Sequence, residues 1–475
     1  MVLPKLSRLN WLLVFIIAIS AFMRLYRISD YMEFLGDQGR DVVIVRDFLK
    51  HGNLFFIGPQ TSIGNMYLGP YYYYLIAPAL LLFNFSPIGP AIFVALLSVL
   101  TTFFIYKITT KYFDHKTGHI AALLFAISPV VIKYSNFSWN PNIMPLFALL
   151  FIYFVDQKKY VYATLAFIMC LNSHYLALIL LIPALFIIAL DFKKFNYKNF
   201  ILPLIIFLLS LIPQLLFDLK HNGQNIKALT AFFIKRETTV SIIPTKALPL
   251  LPAMFNQVTT RLLAGKIEIA GIVVSIIFIS LILYSLFKIK NRIFYISLVW
   301  FFSGLVGLAL YKQHIYDHYF GFIYPVVFIL LAITLSKLNK YLSAIILIFL
   351  TVLSLYSNQF QWKPPRQLTT TINIDNSILK SSNGQPFNFA LLAKMNYDPG
   401  YLYLLNENSN YFHLRNKITE QLFVVCEPFQ IDCNPINNPE WSVAAFGWAK
   451  VDSQWEINGI KIFRLIHNPT GISAQ

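Results

Sequence analysis

The sequence predicts an all-α polytopic membrane protein with about eleven spanning helices, ending in a small mixed α/β domain. Three observations carry this. Of 475 residues, 57% are hydrophobic and only 12% are charged, where a soluble domain averages about a quarter charged. Apolar runs approaching the roughly 20 residues that cross a bilayer recur along the chain. The loops between these runs alternate between a basic and an acidic chemistry.

Taken in order, the runs begin near Asn10, Ile88, Gly118, Asn142, Tyr160, Tyr175, Phe200, Ile267, Ile293, Phe320 and Tyr341. The first resembles a signal peptide, with Lys5 and Arg8 before Trp11 to Phe22. No small-residue cleavage site follows, so it reads as an uncleaved span. Only Asn172-Ser173-His174 separates the fifth and sixth runs, which leaves open whether they are two spans. Tyr71 to Phe83 is also apolar but short, and it opens on four tyrosines. It reads as an interfacial helix, because tyrosine favours the headgroup region.

One set of loops holds Lys5 and Arg8; Lys107, Lys111 and Lys116; Lys158 and Lys159; Lys193, Lys194 and Lys198; Lys288, Lys290 and Arg292; Lys337 and Lys340. The positive-inside tendency places these in the cytoplasm. The other set, 31–70, 134–141, 218–266, 312–319 and the tail, holds most of the acids and falls outside. The N-terminus is therefore expected inside, in a plasma or inner membrane. Residues 1–357 form the membrane domain and 358–475 an extracytoplasmic domain. The net charge of +17 is spread over short loops, so no nucleic-acid surface is expected. Of three cysteines, Cys170 lies in an apolar run, while Cys426 and Cys433 are a candidate disulfide in an oxidising compartment.

The first outer loop, Asp30 to Pro70, carries Asp30, Glu33, Asp37, Asp41 and Asp47. From Asp37 to His51 the pattern is helical: Val42, Val45 and Phe48 or Leu49 repeat at helical spacing, and Gly52 is a C-terminal stop. Such a helix would lie on the membrane with its apolar face down. Asp37 and Asp41 would share a face, with Arg40 one turn from Asp37. A carboxylate there can act as general base on a hydroxyl, and an arginine can hold a phosphate leaving group. Asp37 can equally cap the helix, and the two readings are compatible. Spacing alone makes Asp41 a solvated residue or a neighbour of Arg40.

The stretch Asp37-Gln38-Gly39-Arg40-Asp41 through Gly52-Asn53 resembles the first outer loop of GT-C glycosyltransferases, notably protein O-mannosyltransferases and lipid A aminoarabinose transferases. Leu68-Gly69-Pro70-Tyr71-Tyr72-Tyr73-Tyr74 is similar to the family's Pro-Pro-Leu-Tyr-Tyr-Trp helix. Ser128-Pro129 is similar to its Ser-Pro, and His318-Tyr319 through Tyr324-Pro325 to its Arg-Tyr…Pro. The resemblance implies a transferase that moves a hexose or pentose from a polyprenyl-phosphate donor, with inversion, to a hydroxyl on protein, lipid or glycan. It places the essential aspartate on Asp37. Two departures stand out: Gln38 replaces the family's glutamate, and Leu68-Gly69 replaces a basic residue. Donor phosphate binding then falls to Arg40, Arg46, Lys133, Lys312, His314 or His318. Asp37 with Asp41 is a candidate site for Mg²⁺ or Mn²⁺. Tyr67 and Tyr71 are candidates for a sugar or acceptor groove. The implied partners are the bilayer, the lipid donor and the acceptor.

Each of these has a plainer reading. Lys133 snorkels to the interface; Lys312, His314, Asp317 and His318 form a polar turn whose spacing matches no zinc pattern; His174 is a satisfied interfacial histidine. Trp441, Trp448 and Trp455 do not form the Trp-Trp-Asp motif of oligosaccharyltransferases. A transporter or flippase is the main alternative, and a non-catalytic scaffold the second. The spans carry no Asp or Glu away from their ends, whereas ion-coupled carriers place acids inside them.

Overall fold

The computed structural model describes residues 10–62, 64–194, 196–234, 240–241, 243–408, 417–427 and 433–468. Lys5 and Arg8 lie outside the described residues. The chain forms two compact units. One comprises Met1–Ile28, Asn53–Ala79 and Gly89–Lys363; the other comprises Ser29–Gly52, Leu80–Ile88 and Pro364–Gln475.

The first unit is helical. An apolar helix stands at each expected run, among them Trp11–Leu25, His115–Ile127, Met144–Asp156, Tyr160–Ser173, Tyr324–Leu335 and Lys340–Tyr356. Among the described residues, four stretches, Ile88–Tyr112, Lys198–Lys220, Glu268–Lys288 and Arg292–Ala309, are long and apolar enough to cross a membrane. The others are shorter, and local chemistry shows why. Pro129 ends His115–Ile127 at Ser128, and its last carbonyls are satisfied by Arg24 instead of a further turn. The Arg24 guanidinium donates to Ala126 O at 2.9 Å, to Phe125 O at 3.4 Å and to Ser98 Oγ at 2.8 Å. This buried arginine needs no acid, because backbone dipoles at a helix C-terminus favour a cation.

The second unit holds a four-stranded sheet, β1 (Asn388–Leu392), β2 (Gln421–Cys426), β3 (Ala449–Ile457) and β4 (Ile460–His467), in the order β1-β2-β4-β3. β1 and β2 run parallel, and the other pairs antiparallel. Every residue of β2 is buried, as a strand covered on both faces requires. Phe423 and Val425 point into a core with Ile374 and Ile378 of helix Gln367–Ser381 and Tyr401 and Leu405 of helix Pro399–Asn408. Leu422 and Val424 point the other way, onto Val443 and Phe446 of helix Trp441–Phe446. Asn458 and Gly459 both have positive φ (51° and 83°) and make the tight β3–β4 turn. Cys426 and Cys433 are joined as a disulfide.

The first-loop helix, Gly36–His51, belongs to this unit. It stops at Gly52, whose φ of 75° is the left-handed conformation a C-terminal stop needs. The expectation that its apolar face rests on the membrane does not hold as stated. Val42 and Val45 are buried within the protein, and the helix packs along Pro399–Asn408. Contact with the tail is close because Gly39 has no side chain: a Cβ there would lie 2.2 Å from Gly400 N.

Candidate active site

The start of the first-loop helix is capped by residues other than Asp37. Gln38 Oε1 accepts the Leu35 N–H at 2.9 Å, and Asn396 Oδ1 accepts the Gly36 N–H at 2.8 Å. Two amides that lack a partner within the helix are thus satisfied, and the Asp37 carboxylate is left for other partners. Its Oδ1 receives Arg40 Nη1 at 2.8 Å and the hydroxyl of Tyr397. Arg40 turns its Nε and Nη2 to Asp41 Oδ1, at 3.0 and 2.7 Å. One guanidinium therefore bridges both carboxylates. The side chain of Asp37 keeps 37% of its exposure, whereas that of Asp41 keeps 1%. Asp37 is reachable from solvent; Asp41 serves as the buried partner of Arg40. Burial and the Asp37 carboxylate push the Tyr397 phenol well above its usual range, so it remains a donor.

The donor set does not fit a divalent cation. Arg40 already lies between the carboxylates where a metal would sit, and among the described residues no group of three His, Cys, Asp or Glu side chains converges. Arg40 itself is engaged by two acids, which limits it as a phosphate ligand. Arg46 is turned to the tail: Nη1 donates to Tyr403 O at 3.0 Å, and its guanidinium lies 4.2 Å from the Tyr403 ring centre.

The other phosphate candidates belong to the first unit. Lys133 is exposed, 5.6 Å from the Tyr134 ring. Lys312 and His314 are exposed in the loop that leads to Asp317, and His314 lies edge-on to Tyr316. His318 is packed among Trp139 (4.4 Å), Tyr319 (4.6 Å), Tyr316 (5.7 Å) and Tyr134 (5.8 Å). Burial, and secondarily the nearby His174, lowers its pKa to about 3. His318 is thus a neutral imidazole that can donate a hydrogen bond but supplies no charge. Beside it, Asp317 draws in two cations that sequence reasoning passed over, Lys266 at 2.5 Å and Arg261 at 3.6 Å. Their signal was present as basic residues in a loop of the acidic, outer set.

The groove candidates are bound into the scaffold. Tyr67 O accepts from Tyr175 OH and Asn225 Nδ2, and the Tyr67 ring lies edge-on to Phe217. Tyr71 OH donates to Ser210 O at 3.1 Å. Tyr72 and Tyr73 are buried, and Tyr72 OH meets Ser138 Oγ.

Residues 68–217 match the family model of dolichyl-phosphate-mannose-protein mannosyltransferases. No curated protein matches the chain. Among solved structures, the chain is similar to ArnT from Cupriavidus metallidurans bound to undecaprenyl phosphate, with 10% identity and a TM-score of 0.65, covering 98% of this chain and 99% of that one. The apo state of the same ArnT gives 11% identity and a TM-score of 0.64, covering 99% and 100%. The chain is a membrane protein with the fold of the GT-C glycosyltransferases. Within that fold, its likeness to ArnT extends over both units.

Proposed function

We propose that this protein is a glycosyltransferase that moves a sugar from a polyprenyl-phosphate-linked donor to a hydroxyl acceptor at the outer membrane face, with Asp37 as general base. The observation that carries this is the Asp37 carboxylate itself. It is relieved of capping by Gln38 and Asn396, held on one oxygen, and half-exposed in a chain whose full-length structural neighbour binds undecaprenyl phosphate. The acceptor oxygen attacks the anomeric carbon as Asp37 takes its proton. The bond from that carbon to the phosphate oxygen breaks, and polyprenyl phosphate leaves with the electron pair, inverting the centre. Within the first unit, taken by itself, Arg261 and Lys266, two cations against the one carboxylate of Asp317, are the pair best suited to a phosphate, with neutral His318 beside them as a donor.

The test is a comparison of cells with and without the gene. Mass spectrometry should show one sugar missing from a surface glycan, lipid or protein, and the matching polyprenyl-phosphate sugar accumulating. Unchanged glycans together with an unchanged lipid pool would contradict the proposal.

A further inference from the structure

The tail unit sends a short loop, Asn396 to Gly400, onto the start of the first-loop helix. Asn396 anchors it twice: its Oδ1 accepts the Gly36 N–H, and its Nδ2 donates to Glu427 Oε1 at 2.7 Å. Tyr401 OH donates to the same carboxylate oxygen at 3.2 Å. Glu427 follows directly on β2, so the loop is tied to the end of the most buried strand. The Tyr397 ring lies flat on Gly36, where a Cβ would come within 2.3 Å of it. Its hydroxyl accepts from Arg40 Nη1 at 3.2 Å and donates to Asp37 Oδ1.

Oδ1 of Asp37 thus has two donors, Arg40 and Tyr397, while Oδ2 has no hydrogen-bond partner among the described residues. A carboxylate pinned on one oxygen presents the other at a fixed angle. Such pre-positioning is a large part of catalysis by a base. We propose that Tyr397 is a positioning residue for sugar transfer, holding Oδ1 so that Oδ2 faces the acceptor hydroxyl, and that the tail thereby completes the active site. The inference rests on the reading of Asp37 as base.

Tyr397→Phe tests it, since the ring stays on Gly36 and only the hydroxyl is lost. The full chain in membranes, which supply native acceptors, is given polyprenyl-phosphate sugars extracted from the same cells. Donor consumption is then followed over a range of donor concentrations, per site that binds undecaprenyl phosphate. We expect kcat to fall about tenfold with donor KM unchanged. Asn396→Ala, which frees the loop, should act in the same direction. A Tyr397→Phe loss that lies in donor KM or in the number of undecaprenyl-phosphate sites, with kcat per site unchanged, marks a structural role and overturns the proposal. Asp37→Asn separates the two readings. If it is inactive while Tyr397→Phe is normal, the base stands and the positioning role fails. If Asp37→Asn is active, the base itself fails.

Discussion

Tyr397 donates its hydroxyl to the carboxylate of Asp37, joining a tail residue to one 360 positions earlier in the chain. The contact gives the tail unit a chemical task and gives the first-loop helix a fixed partner. It depends on two glycines: Gly39 lets the helix approach the backbone of Gly400, and Gly36 leaves room for the Tyr397 ring.

Gly39→Ala should therefore separate the helix from Gly400 and destabilise the tail unit by about 1–3 kcal/mol, the usual cost of overpacking. Thermal unfolding of the purified protein measures this. An unchanged melting temperature would show that the approach is not tight.

Acid stability should report on His318. Its pKa is lowered to about 3 in the folded protein by burial, against an ordinary value near 6.5. The unfolded chain therefore takes up a proton first as pH falls. Stability from this group is complete above the ordinary value and is lost between there and about pH 3. Melting temperatures from pH 7 to pH 4 should fall less steeply in His318→Phe than in the natural protein. Parallel curves would contradict the buried, neutral imidazole.

Arg261→Ala and Lys266→Ala should each weaken binding of undecaprenyl phosphate about tenfold, as removing one charge-assisted contact of roughly 1.5 kcal/mol does. Lys133→Ala, an exposed residue over Tyr134, should leave it unchanged. Equal losses at all three would point to a general surface field in place of a site.

The Cys426–Cys433 disulfide closes a short loop, for which chain entropy gives about 2–3 kcal/mol. Thiol labelling should mark these two only after reduction, and the tail unit should then melt earlier. Labelling without reductant would exclude the bond.

Much of this was legible in the sequence because it is local. Apolar runs and alternating loop charge place the helices of the first unit, and the spacing from Asp37 to Gly52 gives the first-loop helix almost to the residue. What escaped is non-local. Nothing near Asp37 announces Tyr397 or Asn396, and nothing in the spacing says that Gln38 would take the cap. Gln38 looked like a lost charge; it accepts the Leu35 N–H as a glutamate would, and so leaves Asp37 free. The apolar face of Val42 and Val45 fits a membrane surface or a protein partner equally well, and only the fold chooses the second. Arg261 and Lys266 gain meaning only when Asp317 gathers them from a different part of the chain.

The central claim is that Asp37 is the base. It is tested most directly by sugar transfer from polyprenyl-phosphate donors in membranes carrying Asp37→Asn, with undecaprenyl phosphate binding measured on the same preparation. The account predicts binding within about twofold of the natural protein and transfer reduced by at least about a hundredfold, the lower range for loss of a general base. Transfer at the natural rate with binding intact would contradict it.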